Sequence, residues 1–277
     1  MDAAVRQLAP RRAGSAAGRI FAVMLRHLYL LRTSWPRILD LMYWPALQIT
    51  IWGLMSQFMR TQSGYVAQAV GVLLAAVMLW DVFFRGQLGV AISFLEEMWS
   101  RNLGHLFVSP LRPWEWVAAL VLMSLVRVII GVGSAAVLAW LLFGYSILDL
   151  GLPLIAFFFA LIMLGWAIGI AITALVLTNG LGAEGVAWTA AFVLAPISAV
   201  YYPVSVLPGW AQAIAWTLPT SHIFEGMRSL MFTHQFDWRQ LATALVLDGV
   251  WLGLGAAAFL YGMRAARRRG KLLGVGE

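Results

Sequence analysis

Long apolar stretches alternate with short polar ones along this chain, and six of them are long enough to cross about 30 Å of hydrocarbon, which takes about 20 helical residues. They fall near 38–58, 65–85, 116–143, 152–177, 184–204 and 241–262. Between the second and third, Phe94–Trp116 reads FLEEMWSRNLGHLFVSPLRPWEW and gathers Glu96, Glu97, Arg101, His105, Arg112 and Glu115 in a chain with only 11% charged residues. The first half of this segment predicts a short helix, with Leu95, Met98, Trp99, Asn102 and Leu103 near one stripe. Pro110 and Pro113 stop that helix and fix the angle at which the next one leaves. The segment therefore reads as a polar connection at a membrane face.

Ahead of the first stretch, Phe21, Met24, Leu25, Leu28 and Leu31 cluster on one side of a predicted helix. Arg12, Arg19 and Arg26, seven residues apart, line the other side, with Arg32 the exception. This pattern predicts a helix lying on the membrane surface. A signal peptide fits less well, because Arg26 and His27 interrupt Ile20–Leu31 and no small-x-small cleavage site follows.

Between the fifth and sixth stretches, Val204–Leu218 is apolar but too short to span, and Pro203, Pro208, Gly209 and Pro219 divide it. A re-entrant pair of half-helices is expected there, able to plug an outward exit, since irregular backbone at membrane depth needs protein or a watery cavity around it. The alternative is a loop in the headgroups, anchored by Tyr201, Tyr202, Trp210 and Trp216. The expected fold is an all-α integral membrane protein: an arm over 1–37 with its interfacial helix, a six-span domain over 38–262, and a basic tail over 263–277.

Composition supports this reading. With 62% hydrophobic residues and a mean hydropathy of +0.83, the chain carries more apolar surface than a water-soluble fold can hide. The absence of cysteine removes disulfides and thiolate metal sites, and no metal site is expected. The net charge of +7 does not point to nucleic acid, because the basic residues sit at the two ends rather than in a stripe on a soluble domain. Seven arginines (Arg6, Arg11, Arg12, Arg19, Arg26, Arg32 and Arg37) lie on the arm. Arg85, Arg101 and Arg112 lie in the 85–115 connection, and Arg264, Arg267, Arg268, Arg269 and Lys271 on the tail. Only Arg60, Arg228 and Arg239 fall in the opposite loops, so the positive-inside bias puts both termini and the connection in the cytoplasm. Lys271, the single lysine, follows Gly270 but precedes Leu272, so no G-x-x-x-x-G-K-S/T phosphate loop is present. Any energy from ATP has to reach this chain from a partner.

Together, the arginine-rich arm, six stretches, SPLRPWEW after the second, and YYPVSVLPGW with LPTSHIFEGMR before the last resemble a type-2 ATP-binding-cassette export permease, along essentially the whole chain. The resemblance implies that two permease copies pair, as a homodimer here. It also implies that each docks a separate ATPase subunit, two copies in all, through a cytoplasmic coupling helix in the second-to-third connection. ATP and Mg would then be bound by that partner and not by this chain. Glu96, Glu97, Met98, Trp99, Arg101 and Asn102 become the expected docking surface, and Pro203, Pro208, Trp210, Pro219, Glu225 and Arg228 the outer gate. The implied setting is a bacterial inner membrane, and the implied cargo a lipid-linked glycan, lipo-oligosaccharide or similar amphiphile, with drug efflux as the alternative.

Inside the spans, Arg127 carries a charge that is costly at bilayer depth. Arg127 lies roughly 16 Å and Asp248 roughly 20 Å from the inner edge at 1.5 Å per residue, which makes an Arg127–Asp248 pair the expectation, with a hydrated cavity or snorkelling as the alternative. Gly165/Gly169 and Gly249/Gly253 are small-xxx-small pairs expected to let helices approach closely. Tyr43, Trp44, Trp52, Trp80, Phe83 and Phe84 are candidate contacts for cargo, although most membrane tryptophans only sit in interfacial belts. A membrane enzyme is not supported: His27, His105, His222 and His234 form no H-E-x-x-H, and G-x-S-x-G is absent. A secondary transporter finds little here either, with no evident inverted repeat and only Asp40, Asp81, Arg127 and Asp248 as candidates for an ion relay.

Overall fold

The computed structural model of the chain describes residues 15–62 and 66–268. Arg6, Arg11 and Arg12 of the expected arm, and Arg269 and Lys271 of the tail, lie outside the described residues. Ten α-helices follow one another among the described residues, with no strand: α1 (Ala16–Thr33), α2 (Trp35–Gln62), α3 (Val66–Trp99), α4 (Leu103–Val108), α5 (Pro113–Phe143), α6 (Leu152–Asn179), α7 (Glu184–Leu194), α8 (Gly209–Ala215), α9 (Pro219–Thr233) and α10 (Trp238–Arg268). Among the described residues, four stretches are long and apolar enough to cross a membrane: Gly71–Trp99, Pro113–Phe143, Leu152–Leu194 and Trp238–Arg268. The chain is a multi-pass membrane protein.

The other two expected spans look different. The stretch 38–58 falls on α2, which has 28 residues but is less apolar than those four. The stretch 184–204 is helical only through Leu194 and then breaks into turns.

Helix α3 runs well past the expected end of the second span at 85. Arg85 donates to Asp81 one turn earlier at 2.5 Å, so the charge that marked a boundary in the sequence is neutralised within the helix. The short helix expected over the first half of Phe94–Trp116 is therefore the end of α3. The chain turns at Arg101, whose φ of 53° is left-handed, while the Asn102 N–H reaches back to Glu97 O at 2.9 Å. The separate helix is α4, which stops at Ser109, the residue before Pro110, and Pro113 opens α5.

The centre of the bundle is α6, packed between α3 and α10. A Cβ at Gly165 would stand 2.7 Å from Phe83 O, and one at Gly169 2.7 Å from Gln87 O, so this pair does set the α3–α6 contact. Gly249 and Gly253 face open space instead. The contact of α10 with α6 is made by Gly255 and Gly262, whose Cβ atoms would meet Ala167 O at 2.5 Å and Ala174 O at 2.9 Å. Helix α1 lies across α5 and the start of α2.

Candidate functional site: a buried charge cluster beside an exposed connection

At the end of the bundle that carries the α3–α5 connection, three carboxylates are removed from solvent. The side chains of Glu97 and Glu115 are fully buried and that of Glu96 is 8% exposed. Glu115 sits in the first turn of α5, where its Oε2 caps the Arg112 N–H at 3.0 Å. Both its oxygens also receive the fork of Arg19, Nε to Oε2 at 2.9 Å and Nη2 to Oε1 at 2.5 Å, a bidentate pair of the strong kind. Those hydrogen bonds hold the Arg19 guanidinium above its ordinary pKa. Glu97 takes Arg26 at 2.5 Å and the Asn102 side-chain amide at 2.7 Å.

Between Glu96 and Glu97 stands the fully buried ring of His27, with Nδ1 3.2 Å from Glu96 Oε2 and Nε2 3.4 Å from Glu97 Oε1. Glu96 also accepts from Arg127 at 2.9 Å and faces Arg37 at 3.5 Å. One knot of charge thus joins α1, the first turn of α2, the end of α3, and α5 at two levels. Buried charges persist only when paired and hydrogen-bonded, and here each carboxylate has two or more partners.

This arrangement changes three expectations. Arg127 pairs with Glu96 and not with Asp248, because the longer α3 brings Glu96 to its level. Asp248 is fully buried on α10, which packs on α6 and α9, and neither of its carboxylate oxygens has a hydrogen-bond partner among the described residues. Glu96, Glu97 and Met98, expected to offer a docking surface, are buried. Of the other residues expected there, Asn102 is half-buried on Glu97, whereas Trp99 and Arg101 are exposed. Trp99 Nε1 donates to Glu184 Oε2 at 3.3 Å, which ties the connection to the start of α7. The most prominent surface lies further along: Val108 is 86% exposed and Trp114 53%, with Ser109 and Pro110 exposed between them and His105 exposed before them. The arginines of α1 likewise differ from expectation, since Arg19 and Arg26 reach protein carboxylates, while Phe21, Tyr29 and Leu30 are exposed on the outside of the helix.

The opposite end of the bundle has its own charge pair. Glu225 Oε1 accepts the Val204 N–H at 2.7 Å and lies 3.1 Å from Arg228, whose Nη1 donates to Ala199 O at 2.8 Å. Ala199 is held at a φ of 53°. These two side chains of α9 fix the irregular segment between α7 and α8. Pro203 and Pro208 precede the 3₁₀ turn Val204–Val206 and α8, Pro219 opens α9, and Trp210 is exposed. His222 joins α9 to α10 through Gln240 at 2.7 Å.

A cavity of about 690 Å³ runs between α2, α3, α5 and α7, from Arg37, Glu96 and Arg127 at the connection end to Tyr201 at the other. Its walls are mostly apolar, with Trp44, Trp80, Phe84 and Phe192 among them. Among the described residues, no group of three or more His, Cys, Asp or Glu is placed to hold a metal ion.

A helical bundle without strands among the described residues, with four stretches able to span a membrane, a charge-tied end and an exposed connection, defines the class as a helical multi-pass membrane protein. The ABC-2 type transporter family profile matches residues 21–232, and the chain belongs to that family, as the membrane component of a transporter. Comparison with curated proteins gives no match.

Proposed function

We propose that this chain is the permease subunit of an ATP-driven exporter, worked through its α3–α5 connection by a separate ATP-binding-cassette ATPase. The observation that carries the proposal is the charge knot. An external push on exposed His105 and Val108 passes through exposed Trp99 and Arg101, which lie within a few residues of Glu96 and Glu97, and those carboxylates grip α1, α2 and α5 together. A surface lever attached by paired buried charges transmits displacement instead of absorbing it. The partner has to bind the two states of the permease differently for ATP to do work here.

In this reading the connection end is cytoplasmic, both termini are on that side, α2 and the α7 region complete six spans, and the membrane is the bacterial inner membrane. Two permease copies with two ATPase copies form the transporter, and ATP and Mg belong to the ATPase. The segment 195–233 acts as the outer gate and re-enters the membrane. Its support is Phe224 of α9, whose ring centroid lies 6.4 Å from that of Trp80, roughly 13 Å along the span that begins at Gly71.

The mostly apolar cavity with charged residues along it supports an amphipathic cargo. A lipo-oligosaccharide or lipid-linked glycan fits that description, and so does a drug. A volume of about 690 Å³ lies in the range of small-molecule sites, which favours a modest amphiphile in each protomer. Replacing Val108 with Asp in the co-expressed transporter tests the proposal. ATP-dependent export is expected to fall while the chain inserts normally, and unchanged export would remove α4 from coupling.

A further inference from the structure

Besides Asp40 at the mouth, two charged side chains in the cavity wall take no part in the knot. Asp81 and Arg85 lie on α3, and Arg85 stands halfway along Gly71–Trp99, roughly 21 Å from either end at 1.5 Å per residue. Ionisable groups at that depth are costly and are retained where they line a pathway.

Arg85 carries five N–H donors, and among the described residues only Nε is used, on Asp81. Its guanidinium lies against the α5 backbone at Gly131, where a Cβ would stand 2.6 Å from Nε and 2.8 Å from Cζ. Gly131 is one helical turn, about 6 Å, further along α5 than Arg127. The cavity therefore meets arginines in succession: Arg37 at its exposed mouth, Arg127 deeper and buried on Glu96, then Arg85 against the next turn of α5. The carboxylates beside them are already engaged. Glu96 is shared among His27, Arg127 and Arg37, and Asp81 is taken by Arg85. Asp40, exposed at the mouth, is the remaining acidic residue of the lining. A cationic head would find every deep carboxylate occupied. An anionic head finds guanidinium donors with unspent capacity.

We infer that this cavity takes a single-chain amphiphile with an anionic head group, and that Arg85, released in part from Asp81, reads that head at mid-membrane. The apolar body lies along Trp44, Phe84 and Phe192, and the volume suits one such molecule. The step from Arg127 to Arg85 gives the head two successive partners, so it moves inward without losing charge compensation. This assignment rests on the permease reading, but binding is measured without ATPase or ATP. A failure of head-group selectivity leaves the coupling proposal standing, and a failure of coupling leaves this one standing.

The test uses the purified chain in zwitterionic nanodiscs and three fluorescent probes: dansyl-labelled undecanoate, its methyl ester, and the matching quaternary ammonium. The carboxylate is expected to bind about tenfold or more tighter than the ester, the scale of one hydrogen bond to a charged group. Arg85→Gln is expected to remove that preference while ester affinity stays as in the wild type, and Arg85→Lys to keep part of it. Asp81→Asn, which removes the negative charge that competes for Arg85, is expected to raise carboxylate affinity. It decides the matter should Arg85→Gln fail to fold. Equal binding of carboxylate and ester, preference for the ammonium probe, selectivity that survives Arg85→Gln, or no gain in Asp81→Asn would overturn the inference.

Discussion

Removing the negative charge of Glu96 tests the knot at its centre. Glu96→Gln keeps the shape and one acceptor, but leaves Arg127, 10% exposed and 2.9 Å away, facing a neutral amide. Removing one partner of a buried pair costs about 3–5 kcal/mol, because the other charge is left uncompensated. The lower end applies here, since the amide oxygen still accepts a hydrogen bond and Arg37, 45% exposed, can turn to solvent. Arg127→Gln removes the opposite charge and leaves Glu96 its contacts with His27 and Arg37, so its cost is about 2–3 kcal/mol, the scale of a lost hydrogen bond to a charged group. In the double variant nothing is left uncompensated between the two positions, and the combined loss falls short of the sum by about 2 kcal/mol. Reversible unfolding of the purified protein in mixed micelles, read by tryptophan fluorescence, measures all three variants. Additivity within about 0.5 kcal/mol would refute the pairing. The same cycle run with Asp248→Asn and Arg127→Gln is expected to be additive, because Asp248 has no partner in the knot.

Three further outcomes follow from the packing and from the gate. Gly255→Ala drives a Cβ to 2.5 Å from Ala167 O and is expected to destabilise by about 1–3 kcal/mol, whereas Gly253→Ala, facing open space, is expected to change stability little; thermal unfolding separates the two. Glu225→Gln weakens the grip on Val204 N–H and Arg228, so hydrogen exchange over 199–207 is expected to speed up while the rest of the bundle stays protected. Arg19→Ala leaves buried Glu115 without its fork and is expected to loosen α1, raising protease cleavage within 15–33 without changing membrane insertion.

Four of the six apolar stretches were legible because hydropathy over about 20 residues reports directly on the solvent a helix needs. Where the chain departed from that reading, local charge misled. Arg85 looked like the end of a span because a lone arginine belongs at an interface, and only its bond to Asp81 lets α3 continue. The seven-residue spacing of Arg19 and Arg26 is the same whether the face meets lipid headgroups or protein carboxylates, so the sequence could not choose between them. The partners lie far along the chain, 96 positions from Arg19 to Glu115 and 71 from Arg26 to Glu97. No local pattern connects them. One signal was available: three carboxylates at the ends of apolar helices require cations, and the largest supply is the arginine-rich arm. Similarly, GxxxG spacing marked Gly165 and Gly169 correctly but also marked Gly249 and Gly253. The contact at Gly255 and Gly262 has a seven-residue period that the motif does not describe.

In the proposed exporter, force from an ATPase enters through the exposed residues of α4 and its flanks. ATP-dependent export of a fluorescent amphiphile, measured in inverted vesicles for the wild-type transporter and for Val108→Asp present at equal amounts in the membrane, tests it most directly. Export by the wild type and its loss in the variant are expected, with permease stability unchanged. Equal export by both, or export by this chain alone in proteoliposomes without ATP, would contradict it.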